Sequence, residues 1–113
     1  MPFLRMITNV PESKIPPDFN DHMTEILQTI LNKPKEYCQV QIIPEQILTF
    51  GGSHEPCALL FLMSVGRLGA LENKLYSEII MAELESCLGI LPHLTYINFV
   101  DPKPSDISFN IYD

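Results

Sequence analysis

One strand–helix–strand pattern occurs twice along the chain at an offset of about 57 residues, and this repetition restricts the fold more than any single motif does. In the first copy, Pro2 to Thr8 reads as a strand ended by Asn9-Val10-Pro11. Phe19, Met23, Ile26, Leu27, Ile30 and Leu31 then recur at the spacing of one helical face, behind the helix-start signal Pro16-Pro17-Asp18. Cys38 to Ile43 alternates, is rich in branched residues and stops at Pro44. The second copy has a strand over Ala58 to Val65, a helix over Leu71 to Leu88 ended by Gly89, and a strand over Thr95 to Val100. Under the offset Leu27 falls on Leu84, Leu31 on Leu88, Val40 on Ile97 and Ile42 on Phe99, so matching core positions recur without obvious sequence identity between the halves.

Two βαβ repeats, about 1–57 and 58–113, predict a single α/β domain: a four-stranded mixed sheet with two helices on one face. One helix layer covers one side of a sheet. The other side, expected to be apolar in Leu60, Leu62 and Ile42, would then lack cover, which argues for oligomerisation. A hydrophobic content of 46% points the same way, because a short chain has little interior in which to hide it.

Fourteen acidic against seven basic side chains give a formal charge of -7. The cations Arg5, Lys14, Lys33, Lys35, Arg67, Lys74 and Lys103 form no tract, which argues against nucleic acid as a partner. The apolar run Cys57 to Met63 is too short for a bilayer, and no leader pattern opens the sequence, so cytosolic synthesis without membrane insertion is expected. Cys38, Cys57 and Cys87 have no metal-ligand spacing and would leave one thiol over from any pair, so neither a zinc site nor a disulfide framework is expected. Reduced, mostly buried thiols are expected, with no metal and no cofactor.

Met1-Pro2 carries the chemical interest. Removing Met1 would turn Pro2 into a secondary amine at the start of an apolar strand, and an ordinary terminal amine titrates at roughly 7.7–8.0. Burial and a neighbouring cation would lower that value. Pro2 would then be a base poised near neutral pH. The plain alternative is that Pro2 merely permits removal of the initiator.

With these pieces placed, the chain resembles the macrophage migration inhibitory factor family of the tautomerase superfamily over nearly its whole length. The resemblance rests on Met1-Pro2-Phe3, Thr8-Asn9-Val10-Pro11, Lys33-Pro34 with Tyr37, Phe50-Gly-Gly-Ser-His-Glu-Pro-Cys-Ala58, Ser64-Val65-Gly66 and Tyr96-Ile97-Asn98-Phe99. It implies a homotrimer around a central channel, with three active sites at subunit boundaries. It also implies keto–enol tautomerisation of a phenylpyruvate or dopachrome type of substrate. In that reading Pro2 is the base and Lys33 the anion-binding cation, while Ser64 and Val65 line the pocket. Met63 and Val65 form an apolar floor, Tyr37 and Phe109 the aromatic rim, and Tyr96 and Asn98 come from the neighbouring subunit. Without the family, Lys33 reads as a solvated cation complementing the end of helix 1, Tyr37 as a cover on the core edge and Phe109 as a C-terminal anchor.

Several positions depart from the family pattern. Cys57-Ala58-Leu59-Leu60 lacks the second sulfur of Cys-x-x-Cys, which removes the thiol–disulfide reading. Met63 stands where histidine is common, Phe109 where tryptophan is common, and the tail ends in Ile111-Tyr112-Asp113, whose acid would disfavour anionic substrates if it lay near a boundary. The competing function is a signalling ligand, exported by a leaderless route, that binds a cell-surface receptor and keeps a vestigial pocket. Glu12 and Glu45 occupy loop positions where relatives present a basic and an acidic residue to a receptor, so the basic partner has changed sign here.

Overall fold

The computed structural model describes residues 1–109. Strands β1 (Phe3–Thr8), β2 (Gln39–Ile43), β3 (Ala58–Met63) and β4 (Thr95–Val100) form one sheet in the order β2-β1-β3-β4. β1 runs parallel to β2, β3 runs parallel to β4, and the central β1–β3 pair is antiparallel, so the two βαβ units meet across a pseudo-twofold relation. The expected α/β class, mixed sheet and strand boundaries agree with this arrangement to within a residue or two.

Helix α1 (Phe19–Leu31) buries Phe19, Met23, Leu27 and Leu31; helix α2 (Ala70–Leu88) buries Tyr76, Ile80 and Leu84. Adding 57 to the first three α1 positions lands on the three α2 positions, so the repeat holds in the packing as well as in the strings. α1 stops because Asn32 adopts the left-handed conformation, at φ 50°, and Pro34 disfavours a helical Lys33. At the end of α2, Gly89 sits at φ 69°, and the Ile90 N–H reaches back to the Leu84 carbonyl, a closure that needs a residue without a Cβ clash. Leu71, Leu75 and Ile79 lie on the outer side of α2 and remain exposed.

Both helices cover the face built from Leu4, Met6, Leu60 and Leu62, with Val40, Ile42, Ile97 and Phe99 at its margins. This corrects the expectation that Leu60, Leu62 and Ile42 form the bare face: Leu60 and Leu62 are fully buried under the helices. The cause lies in β3, whose sequence Ala-Leu-Leu-Phe-Leu-Met is apolar on both sides, so alternation carried no phase. The uncovered face instead presents Phe3, Ile7, Leu59, Phe61 and Met63 beside Arg5, Gln39, Gln41, Tyr96 and Asn98. It is amphipathic: Arg5 donates to Gln41 at 2.9 Å and lies over the Phe3 ring.

The long connection from β2 to β3 is pinned by the Thr8-Asn9 pair. The Asn9 amide donates to the carbonyls of Leu48 and Glu55 and accepts from the Cys57 N–H, while the buried Thr8 hydroxyl donates to the Cys57 carbonyl at 2.7 Å. At its tip Phe50 and Ser53 exchange backbone hydrogen bonds around Gly51 and Gly52, both at positive φ, a tight turn open to glycine pairs.

Candidate active site

The start of β1 opens into a pocket of about 320 Å³ lined by Met1, Pro2, Phe3, Tyr37, Cys38, Met63 and Phe109, among others. Pro2 is itself buried, and its carbonyl accepts the Gln39 N–H at 3.0 Å, which ties the mouth of the pocket to β2. Register does the rest: Phe3 pairs with Met63 and with Gln39, so the first residue of β1, the last of β3 and the first of β2 converge at one end of the sheet. Tyr37 follows α1 in a short 3-10 turn, and its ring meets Phe109 edge to face with centroids 4.8 Å apart. Both rings remain half exposed, as the rim of an open pocket requires.

Lys33 is delivered to the same end of the molecule by the stop of α1. Its ammonium donates to the Val65 carbonyl at 3.3 Å, which fixes the cation against the loop after β3. Ser64 is fully buried, its hydroxyl donating to the Gly66 carbonyl and its N–H to that of Val100. Its hydroxyl is thus engaged within the loop, and the Val65 backbone is the part that touches Lys33.

In the chain beginning at Met1, the Pro2 nitrogen is in a peptide bond and the free amine is that of Met1. That amine is held below the ordinary terminal-amine value, first by burial and second by the Lys33 charge, with the Cys38 thiol acting against them. Burial pushes the Cys38 thiol up. In the sequence Cys38 reads only as a reduced thiol at the start of a strand, and no pattern in its neighbours marks it as a pocket residue.

Tyr96 and Asn98 are not part of this group. They lie on β4, an edge strand separated from β1 by β3, and both face the open side of the sheet. Tyr96 is 65% exposed although it packs on Phe50, at 4.8 Å between centroids. Within one chain, therefore, the structure assembles Pro2, Tyr37, Met63 and Phe109 around the pocket, keeps Ser64 and Val65 out of its lining, brings Lys33 close enough only for its charge to act on the terminal amine, and leaves Tyr96 and Asn98 displayed elsewhere. Asp113 falls outside the described residues. The three cysteines are free; Cys57 is buried, whereas Cys38 and Cys87 are only half buried, which corrects the expectation of mostly buried thiols. Glu12 and Glu45 are neighbours, the Glu12 N–H donating to the Glu45 carboxylate at 3.0 Å, so that loop surface is acidic. Among the described residues no helix is long and apolar enough to cross a membrane.

Comparison with known proteins gives a consistent pattern. A family model described as macrophage migration inhibitory factor matches residues 1–111. The macrophage migration inhibitory factor of Mus musculus is 36% identical over 110 residues, covering 97% of this chain and 96% of that protein. A macrophage migration inhibitory factor homolog of Trichuris trichiura is also 36% identical over 110 residues, with the same coverage. Among solved structures, macrophage migration inhibitory factor from Trichinella spiralis superposes with a TM-score of 0.92 at 33% identity over 96% of each chain.

Proposed function

The chain belongs to the macrophage migration inhibitory factor family, and from that premise we propose that it is a keto–enol tautomerase using the Pro2 amine after removal of Met1. The observation that carries this reading is an open, aromatic-rimmed pocket at the chain terminus, with the Lys33 charge close enough to hold the terminal amine's pKa down. Tautomerisation moves a proton between oxygen and carbon, so a single group that accepts and returns a proton suffices when its pKa lies near the working pH. On the Met1 amine burial and then the Lys33 charge both favour the neutral form, and the Pro2 amine exposed by processing would stand beside the same charge. A substrate of the phenylpyruvate or dopachrome type would place its carboxylate or ester oxygen near Lys33, which stabilises the enolate charge that develops as the proton leaves carbon. Met63 and the Tyr37–Phe109 pair would hold the aromatic part.

Assembly as a homotrimer completes this site. The bare amphipathic sheet face, with Phe3, Phe61 and Met63 beside Asn98 and Tyr96, is suited to pack against copies of itself. A neighbouring chain would then bring Tyr96 and Asn98 to the pocket that lacks them. Extracellular signalling is the role proposed alongside catalysis. The adjacency of Glu12 and Glu45 disfavours a receptor that reads a basic–acidic pair at that loop.

The test is ultraviolet assay of phenylpyruvate and of dopachrome methyl ester with wild type and Pro2→Gly, after intact mass has established loss of Met1. The rate is expected to fall by at least about tenfold, less than the 10²–10⁴-fold a general base contributes because glycine retains a primary amine. Equal rates would remove Pro2 from this role, and a natively expressed mass that includes Met1 would remove the base altogether.

A further inference from the structure

On the helix side of the molecule, away from the Pro2 pocket, His22 of α1 meets Glu83 and Cys87 of α2. His22 Nε2 lies 2.7 Å from Glu83 Oε2, and Cys87 Sγ lies 3.9 Å from the same oxygen. One ligand-type atom from each residue falls within 4.8 Å of the others. Glu83 and Cys87 are four apart and so share a helix face, while His22 approaches from the neighbouring helix. A pocket of about 210 Å³ opens against the group, lined by Pro16, Asp18, Phe19, His22 and Cys87. Asp18 occupies the cap position of α1, yet its side chain makes no capping hydrogen bond.

From this arrangement we propose that His22, Glu83 and Cys87 form a zinc site that ties α1 to α2, with the fourth coordination position directed into the pocket toward Asp18 and water. Four considerations favour a zinc ion over a simple His22–Glu83 ion pair or another metal. The donor set mixes imidazole nitrogen, thiolate and carboxylate oxygen, a combination that suits Zn²⁺, whereas Mg²⁺ and Ca²⁺ demand oxygen ligands. The three donor atoms already lie within 4.8 Å of one another, and coordination at about 2.0–2.3 Å from one central ion requires His22 Nε2 and Glu83 Oε2 to move apart from their 2.7 Å hydrogen-bond contact. The last turn of α2, which includes Cys87, has no basic side chain to complement its carbonyl end, so a cation there answers the helix dipole. The group is also accessible from solvent, since the His22 and Glu83 side chains are 40% and 33% exposed. Metal binding would displace the Cys87 thiol proton to solvent and leave a thiolate ligand.

This site shares no residue with the Pro2 pocket and does not depend on the catalytic reading. The experiment titrates full-length protein, stripped with chelator, with Zn²⁺ by calorimetry and with Co²⁺ by absorption, in wild type, His22→Gln, Cys87→Ser and the control Cys38→Ser. One zinc per chain is expected, together with a cobalt–thiolate charge-transfer band and an upward shift in melting temperature on adding Zn²⁺. Both single ligand variants should bind at least about tenfold more weakly, because losing a ligand is no milder than the 10–100-fold cost of losing an outer-shell partner. Cys87→Ser should lose the band and Cys38→Ser should keep it. Circular dichroism without metal checks that each variant is folded. If Cys87→Ser proves unfolded, His22→Gln alone decides the point through affinity and thermal shift. Zinc bound below one per chain in the wild type, a band that persists in Cys87→Ser, or an unchanged affinity in folded His22→Gln would overturn the proposal.

Discussion

Thr8→Val isolates one hydroxyl at the junction between the two repeats. Thr8 is fully buried, its Oγ1 donates to the Cys57 carbonyl at 2.7 Å and accepts the Val10 N–H at 3.2 Å, and both partner residues are buried. Valine has nearly the same shape and suits a strand at least as well, so neither a cavity nor backbone propensity enters the difference. What remains is two buried backbone groups deprived of a partner, at about 1–3 kcal/mol each, offset by a few tenths from the more apolar side chain. A loss of about 2–6 kcal/mol follows. For a chain of this size, that corresponds to a fall in melting temperature of about 8–24 °C. The assay is thermal unfolding followed by circular dichroism at one fixed protein concentration, because association would otherwise shift the midpoint. Thr29→Val is the control: that hydroxyl donates to the Glu25 carbonyl at 2.9 Å on an exposed helix surface, where water replaces it, and its cost should stay within about 0.5 kcal/mol. If Thr8→Val melts no lower than Thr29→Val, the argument that this hydroxyl anchors the β2–β3 connection is wrong.

Lys33→Ala removes a charge that lowers the pKa of the Met1 amine; the Pro2 amine that replaces it after processing should feel the same charge, so in the variant its pKa should rise and less amine should be neutral at any given pH. The ascending limb of the pH–rate profile should therefore move to higher pH and KM should increase, while Lys35→Ala, an exposed lysine on the adjoining turn, should leave both unchanged; an unmoved limb in Lys33→Ala would remove its electrostatic role. Leu84→Ala, which empties a fully buried position under the sheet, should cost about 2–5 kcal/mol in denaturant titrations. Leu75→Ala, on the outer side of the same helix, should cost within about 0.5 kcal/mol, and comparable losses at the two sites would mean that α2 packs by its other face.

Much of the fold is legible in the sequence because its signals are local. Asn32 before Lys33-Pro34 and Gly89 after Leu88 mark helix ends through backbone preferences that need no tertiary context. α1 reveals its buried face because polar residues occupy the other side. α2 does not: Leu71, Leu75 and Ile79 form as regular an apolar stripe as Tyr76, Ile80 and Leu84, and only the match to Phe19, Met23 and Leu27 in the repeat distinguishes them. β3 is apolar on both faces, so the alternation that phases β4 is silent there, and Leu60 and Leu62 are assigned to the wrong side for that reason.

The candidate site divides along the same line. Pro2, Lys33, Tyr37 and Tyr96 stand out in the sequence through motifs, but nothing in the string says that β1, β2 and β3 bring their ends together at one pocket while β4 carries Tyr96 and Asn98 away from it. Cys38 beside the terminal amine and the meeting of His22 with Glu83 and Cys87 are equally invisible beforehand. Residue order alone determined the two βαβ units, their breaks and the family, since each depends on neighbours a few positions apart. Tertiary structure decided which face of α2 and β3 is buried and which distant polar groups share a pocket, because those outcomes depend on how separate elements pack rather than on any local preference.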